Sequence, residues 1–548
     1  MNKKGSDNKR IRKLLIANRG EVALRIMRTC MEMSIVSVAV YEKPDETSFF
    51  VRAASESILI GEGPVRDYLD IGKIIQAAKQ SGADAIHPGY GFLSENPKLA
   101  AACEDAGIIF IGPRSDVLRS MGNKVTARRI AEKAGIPTLP GTGPLPSGDE
   151  GMQAVLSFAQ KTGYPLMLKA VAGGGGRGIR KVQNESELHA MMTLAEQESF
   201  AAFGDKLLYA EKCVEEPRHI EIQILADERG NIVHLGSRDC SVQRRHQKIM
   251  EVAPANLPPN TMQKLYEAAL TVARHADYTN AGTVEFLVDR RTNDFWFMEI
   301  NARLQVEHTI TEEITGVDIV RQQIWIAEGD PLELEQKEIQ LTGRAIQVRI
   351  NAEDPQNNFM PEGGRIVEAY QAPGGPGVRL DGIVYPGYRI PSEYDSLMVK
   401  LTVRGYDWEQ TVNRLQRALR GFTFFGTKTT IPLYLNICNE PDFQSENFCI
   451  NYVETHPGIF VFENGTAENT ETVNGRVHKG EIHSPVKGVI KNIYVECGEV
   501  VEEGDLLMTL ESMKMICSIY AEMSGEVDSI PLNSGDAVDF KGILLTIK

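Results

Sequence analysis

The chain has 548 residues, 42% of them hydrophobic and 24% charged, a composition that suits a soluble protein of roughly two to four domains. A formal net charge of −15 argues against a general nucleic-acid binder but leaves room for a local basic pocket. No apolar run reaches the ~18 residues of a membrane-spanning helix, and the eight scattered cysteines contain no C-x-x-C pair, so neither a zinc site nor a disulfide framework is indicated. The polar start, MNKKGSDNKR, leads directly into Leu14-Leu15-Ile16 without an h-region. A reducing, cytoplasmic setting is expected.

Residues 12–112 alternate strand-like runs (12–18, 35–41, 84–86, 108–111) with helix-like ones (21–33, 71–81, 97–106). This βαβ series predicts a parallel sheet covered by helices. The first turn, Asn18-Arg19-Gly20-Glu21, lacks the G-x-G-x-x-G fingerprint, so no dinucleotide is placed there. His87-Pro88-Gly89-Tyr90-Gly91-Phe92 follows a strand where open α/β sheets carry ligand loops; alone it reads as a structural turn.

A helix is predicted over 116–135, then a Gly/Pro-rich connector, 136–146. Strands at 164–171 and 179–183 flank Gly173-Gly174-Gly175-Gly176-Arg177-Gly178. Strand–glycines–strand, with no following Gly-Lys-Ser/Thr, is not a Walker A loop. It can still fold over a triphosphate, because glycines let backbone N–H groups approach phosphate oxygens, and Lys169 and Arg177 supply cations. A flexible hairpin tip is the plain alternative. Strands at 219–226 and 232–236 follow. The cation-dense stretch RDCSVQRRHQK, 238–248, then reads as a basic loop, either solvated or lining an anion pocket.

Strands at 284–288 and 295–300 predict a hairpin in which Glu285 and Glu299 come out nearly opposite. Facing carboxylates repel unless a cation lies between them. Magnesium suits the position, because it takes one or two carboxylates plus phosphate oxygens. The hairpin runs into Glu299-Ile300-Asn301-Ala302-Arg303-Leu304-Gln305-Val306-Glu307-His308. Read with a period of two, this is one extended strand with Glu299, Asn301, Arg303, Gln305 and Glu307 on a single face. The face offers a metal site, then an oxyanion site, then a base; a half-exposed strand with a solvated face is the alternative.

Residues 343–456 read as a third, α+β unit, with strands at 344–352 and within 394–403 and an amphipathic helix at 408–421. Arg349 is a cation in an otherwise apolar strand, which by itself points only to an ion pair. Residues 462–479 are polar and read as a linker. Beyond them, 486–510 realigns with 523–547 at a constant offset of 37, predicting a small pseudo-twofold β-sandwich. Lys514, between Met513 and Met515, sits at the joint of the repeat, where a hairpin tip falls.

The Met513-Lys514-Met515 tip and its repeat resemble a biotin carboxyl carrier domain, and residues 12–456 resemble biotin carboxylase, an ATP-grasp enzyme. Leu15-Ile16-Ala17-Asn18-Arg19-Gly20-Glu21, HPGYGFLSEN at 87–96, the glycine run, 238–248, 299–308 and Arg349-Ile350-Asn351-Ala352-Glu353-Asp354 carry the second resemblance. The implied class is α/β and α+β. It comprises a parallel-sheet N-terminal domain (10–125), an ATP-grasp domain with its glycine-rich lid (126–335), a C-terminal α+β domain (336–458), a linker (459–479) and an all-β biotinyl/lipoyl-type sandwich (480–548).

The resemblance also implies roles. Lys514 carries biotin covalently. Lys124, Lys169, Gly173, Gly174, Gly175, Gly176, Glu211, His219 and His246 bind ATP, with Lys248 contacting phosphate and taking part in catalysis. Glu285, Glu299 and Asn301 hold magnesium or manganese. Arg303, Gln305 and the Val306 backbone cradle bicarbonate, Glu307 is the general base, and Arg349 stabilises deprotonated biotin. The sequence departs from the family at Asn123 (Asp expected), Ser34 (Gly), Phe50 and Ser55 (His and Asp) and Arg344 (His).

The implied reaction is ATP- and bicarbonate-dependent carboxylation of the chain's own biotin, which supplies carboxybiotin to a separate carboxyltransferase subunit. The acceptor is an acyl-CoA or a 2-oxoacid such as pyruvate. Implied partners are a biotin protein ligase and a second copy of the chain, associating through the carboxylase part; no nucleic acid or membrane is expected. Two other classes stay open: a different ATP-grasp carboxylate–amine ligase with a lipoyl-like appendage, and a non-catalytic biotinylated scaffold.

Overall fold

The computed structural model describes residues 10–171, 179–462, 480–513 and 515–548. Gly173, Gly174, Gly175, Gly176 and Arg177, most of the proposed linker, and Lys514 lie outside the described residues.

The N-terminal run forms a five-stranded parallel sheet in the order Glu56–Gly61, Val36–Glu42, Lys13–Ile16, Ala85–His87, Ile109–Phe110. The edge strand Glu56–Gly61 has no counterpart among the predicted elements; its half-exposed sequence ESILIG has no clean alternation. The helices carry local stop and start signals. Ile71–Ser81, for example, begins at Asp70, whose side chain accepts the Lys73 N–H at 3.1 Å, and ends at Gly82 with φ 66°. In the crevice beside the central strand, Asn18 donates to the carbonyls of Pro88 and Tyr90 at 2.7 and 2.8 Å. The side chain thus ties the first turn to the HPGYGF loop.

The helix expected over 116–135 is two helices, Ser115–Met121 and Lys124–Lys133. Gly122 ends the first, and Asn123 caps the second by accepting the Thr126 N–H at 3.0 Å. Ile179–Val182, Leu166–Ala170 and Leu208–Lys212 form a separate three-stranded antiparallel sheet.

The centre of the molecule is an eight-stranded antiparallel sheet in the order Phe295–Asn301, Asn280–Asp289, Pro217–Ala226, Ile232–Arg244, Gln247–Ala253, Arg344–Asn351, Leu397–Gly405, Val378–Gly382. It runs without a break from the ATP-grasp segment into the C-terminal segment, through the pairing of Glu251 with Gln347 and its neighbours.

Two local expectations are corrected here. The stretch 238–248 is not a loop: it continues Ile232–Arg244, turns at Arg245 and His246 (φ 49° and 62°), and enters Gln247–Ala253. Arg238 is wholly buried. Nor is 299–308 one strand. Pairing stops at Asn301, Val306 and Glu307 form a turn, and His308–Thr315 is an α-helix. Asn301, Gln305 and Glu307 are buried together with Ala302 and Leu304, so the chain has no alternating solvent face there.

Residues 480–548 form two four-stranded antiparallel sheets. One contains Glu481–His483, Ile543–Ile547, Gly525–Ser529 and Val500–Val501; the other contains Met515–Tyr520, Leu506–Ser512, Gly488–Ile493 and Ala537–Val538. Each sheet takes two strands from before residue 514 and two from after it, as the pseudo-twofold repeat predicts.

Candidate active site

The central sheet places a row of like charges side by side. Glu299 pairs with Glu285, Glu285 with Glu221, and Glu221 with Arg238, across four adjacent strands. Glu221 and Glu285 are buried. Such a row is stable only if cations and hydrogen-bond donors answer it. Lys248 reaches Glu285 at 3.0 Å and Glu307 at 2.9 Å and also pairs with Glu221. Arg238 meets Glu221 at 3.0 Å, and His219 meets Glu285 at 3.0 Å. Asn301 and Gln305 donate to Glu285 at 2.7 and 3.2 Å.

His219, Lys248, Glu285, Asn301 and Gln305 line one cleft of about 1500 Å³, together with Lys124, Lys169, His246, Glu299, Arg303, Val306, Glu307 and Arg349. Glu211 stands behind it, 2.6 Å from the Lys169 ammonium. Lys124, the first residue of its helix, lies 3.7 Å from Glu299. The sequence-predicted residues that are described therefore converge, with Glu211 acting through Lys169 rather than at the wall.

Glu307 sits between two cations, Lys248 at 2.9 Å and Arg349 at 3.2 Å. Burial alone would raise its pKa, but Lys248, Arg349 and Arg238 outweigh it and hold the carboxyl well below the usual range. Burial, opposed by Lys248 and aided by Glu307 and Glu285, pushes Glu221 up to about 7. His219 is raised: Glu285 outweighs the effect of its burial. Burial lowers His246.

Sequence reasoning missed three supports. Glu251 orients Arg349, accepting from its Nε at 2.8 Å, and is itself held by Gln347 at 3.0 Å. Glu95, in the HPGYGFLSEN stretch, lies 3.0 Å from Arg303. Lys400, wholly buried, donates to the Val306 carbonyl at 3.1 Å and pairs with Glu21 at 3.1 Å. Glu251 and Lys400 have a visible signal: each is a charge with apolar neighbours on both sides in a strand, Met250 and Val252 for the first, Val399 and Leu401 for the second.

The donor set suits a divalent cation: Glu285 faces Glu299 across the hairpin, and ligand atoms of His219, Glu221 and Glu285 lie within 4.8 Å of one another. Lysines at the rim and paired carboxylates at the floor suit a nucleotide triphosphate with its metal.

An ATP-grasp fold with this cleft, joined to a biotinyl/lipoyl-type sandwich, defines the class as an ATP-dependent ligase with an appended carrier. Four family models match in chain order: "Biotin carboxylase, N-terminal domain" over 10–118, "Carbamoyl-phosphate synthase L chain, ATP binding domain" over 123–335, "Biotin carboxylase C-terminal domain" over 347–455, and "Biotin-requiring enzyme" over 480–547. The chain belongs to the biotin carboxylase family. It is 49% identical to the biotin carboxylase of Nostoc sp. over 81% of this chain and 98% of that one. It is 46% identical to a pyruvate carboxylase subunit of Methanothermobacter thermautotrophicus, over 81% of this chain and 90% of that one. It is 48% identical to the pyruvate carboxylase of Bacillus subtilis over 87% of this chain, but the match spans only 42% of that longer protein. The biotin carboxylase domain dimer of Hydrogenobacter thermophilus 2-oxoglutarate carboxylase, solved with MgADP, ADP and bicarbonate, superposes with a TM-score of 0.80 at 44% identity, covering 83% of this chain and all of that one. Among the described residues, no helix is long and apolar enough to cross a membrane.

Proposed function

We propose that the chain uses ATP and bicarbonate to carboxylate biotin attached to Lys514 of its own carrier domain. The observation that carries this reading is the Glu307 carboxylate, held between Lys248 and Arg349 in the same cleft as Arg303 and Gln305. Arg303, Gln305 and the Val306 backbone take the bicarbonate anion. Glu307 accepts the bicarbonate proton, and the freed oxygen attacks the γ-phosphoryl group of ATP and expels ADP; the carboxyphosphate breaks into CO2 and phosphate, the phosphate takes the N1 proton of biotin, and N1 bonds to the CO2. Lys124, Lys169, His219, His246 and the Gly173–Gly176 run hold the nucleotide, with Glu211 orienting Lys169. Bound by Glu285, Glu299 and Asn301, magnesium supplies charge neutralisation to the phosphates. Arg349 offsets negative charge on the biotin ring as its proton leaves.

Glu307 is ionised at rest but weakly basic, because Lys248 holds it. Nucleotide phosphates compete for Lys248 and so raise the basicity of Glu307 when ATP is present. Glu307→Gln is expected to abolish bicarbonate-dependent ATP cleavage while leaving ATP binding intact; unchanged cleavage would sink the assignment of the base.

We place pyruvate, or another 2-oxoacid, as the final acceptor, reached through a carboxyltransferase on a separate subunit. The relative named as a pyruvate carboxylase subunit supports both points. The solved dimer of the 2-oxoacid relative supports the 2-oxoacid class and a homodimer. A biotin protein ligase loads Lys514. The eight unpaired cysteines, with Cys497 exposed, favour the cytoplasm. Affinity capture through the biotin, followed by assay of the captured carboxyltransferase on pyruvate and on acetyl-CoA, decides the acceptor.

A further inference from the structure

One carrier residue packs away from the carrier. Met513 is 4% exposed, and it belongs to the apolar cluster that contains Ile350, Phe359, Ile390 and Leu433 of the carboxylase part. The carrier's own cluster, with Ile490, Leu507 and Leu544, does not include it. Its backbone turns at φ 51°, and its N–H donates to the Ser392 carbonyl at 3.0 Å. Two glycines face the carrier beside this contact. A methyl group at 363 would stand 3.3 Å from Ser512 Oγ, and one at 364 would stand 3.3 Å from Lys487 Cβ. The Arg365 guanidinium lies 4.3 Å from the centre of the Phe540 ring. Met513 and Met515, the neighbours of Lys514, border the cleft that contains Glu307 and Arg349.

We propose that Gly363, Gly364, Arg365 and Ser392 form a docking surface for the carrier of this same chain, with Met513 as the positioning residue that seats the carrier tip at the mouth of the cleft. The inference rests on the biotin carboxylase reading. Among the described residues, the contact includes a buried anchor, a backbone hydrogen bond and a cation–π pair. An anchor of this kind gives register. An unbranched thioether suits the anchor, since it adapts to an irregular apolar socket, and its withdrawal breaks the backbone hydrogen bond to Ser392 but no polar contact of the side chain. A side chain at either glycine would press on the carrier side chains of Ser512 and Lys487, a crowding that glycine avoids.

The test uses the full biotinylated chain. In Met513→Ala, single-turnover labelling of the carrier by bicarbonate falls about ten-fold. ATP-dependent carboxylation of free biotin is unchanged, and intact mass confirms equal biotin loading. Equal carrier labelling in parent and variant overturns the proposal. An equal fall on free biotin also overturns it, because the effect of Met513 would then lie in the carboxylase fold. A second measurement is independent of activity. Mild oxidation of a Ser392→Cys/Met513→Cys chain is expected to close a disulfide within one chain, seen as a faster-migrating monomer. No bridge, or a bridge only between chains, overturns docking in cis. A parent chain without bicarbonate-dependent ATP cleavage would defeat the carboxylase reading itself, and the cross-link would still report on docking.

Discussion

Glu251 never lines the cleft, yet it is the residue whose loss should show most clearly how the site is built. It orients Arg349 from the adjacent strand, with Gln347 fixing its other oxygen. Glu251→Gln weakens the ion pair, and Arg349, already beside Glu307, loses the partner that fixes its position there. The kcat for biotin carboxylation is expected to fall about 10–100-fold with the KM for ATP unchanged; steady-state kinetics with ATP and biotin varied separately would check it. Glu21 and Lys400 carry a different signature. Burial, opposed by Lys400, pushes Glu21 from its ordinary 4.5 up to about 7. The folded chain therefore keeps this proton at a pH where the unfolded chain has lost it. The stability Glu21 contributes is full below pH 4.5 and is lost as pH rises through about 7. Unfolding midpoints of the parent relative to Glu21→Gln should decline across that window and level off above it. A flat difference would remove Glu21 from the account. Lys400→Met leaves Glu21 as a lone buried carboxyl and should cost about 3 kcal/mol, most of it recovered by adding Glu21→Gln; denaturant unfolding of the two single variants and the double variant completes the cycle.

At the level of elements, the breaks in the chain are written in its local signals. Gly122 and Asn123 are a stop and a cap in succession, and the two helices they separate look like one because the apolar pattern carries across them. Asn123 also answers the departure from the family's Asp: either side chain accepts the Thr126 N–H. Asn123→Asp should leave stability nearly unchanged. Asn123→Ala should cost about 1 kcal/mol and weaken nucleotide binding, since Lys124 is the next residue; thermal unfolding and nucleotide titration read the two effects. The departure at Arg344 is structural as well, because its guanidinium pairs with Glu446 and lies over the Trp408 ring. Ser34 sits at φ 57°, a backbone conformation that the Gly implied there by the family resemblance would adopt more readily. A strand reading of 299–308 groups residues that do share the cleft, but not for the reason it gives. Alternation of polar and apolar types over ten residues matches a strand, whereas a strand end, a turn and a helix start present Asn301, Arg303, Gln305 and Glu307 to the same cleft. Periodicity reports a face only where the backbone is regular. The opposition of Glu285 and Glu299, by contrast, follows from hairpin register alone.

For the whole molecule, the repeat at 37 residues and the βαβ series make the two ends of the fold legible, because both are local patterns. The eight-stranded sheet is not legible in this way. It joins strands from 217 to 405 through long-range pairings that no window of sequence displays. One consequence can be tested by division. A chain split between 335 and 336 leaves Gln247–Ala253 and Arg344–Asn351 as bare sheet edges. The halves should aggregate when made separately and regain bicarbonate-dependent ATP cleavage when made together; soluble, well-folded separate halves would contradict the continuous sheet.

The carrier's shared strands bear on the order of events during synthesis. Ile543–Ile547 lies between Glu481–His483 and Gly525–Ser529, so the sheet that begins with the first strand of the carrier is completed by its last. A nascent carrier cannot close while residue 547 is still inside the ribosome. On the proposed function, a ligase that recognises the folded carrier acts only once its last strand is in place, so biotin on Lys514 would mark a finished domain.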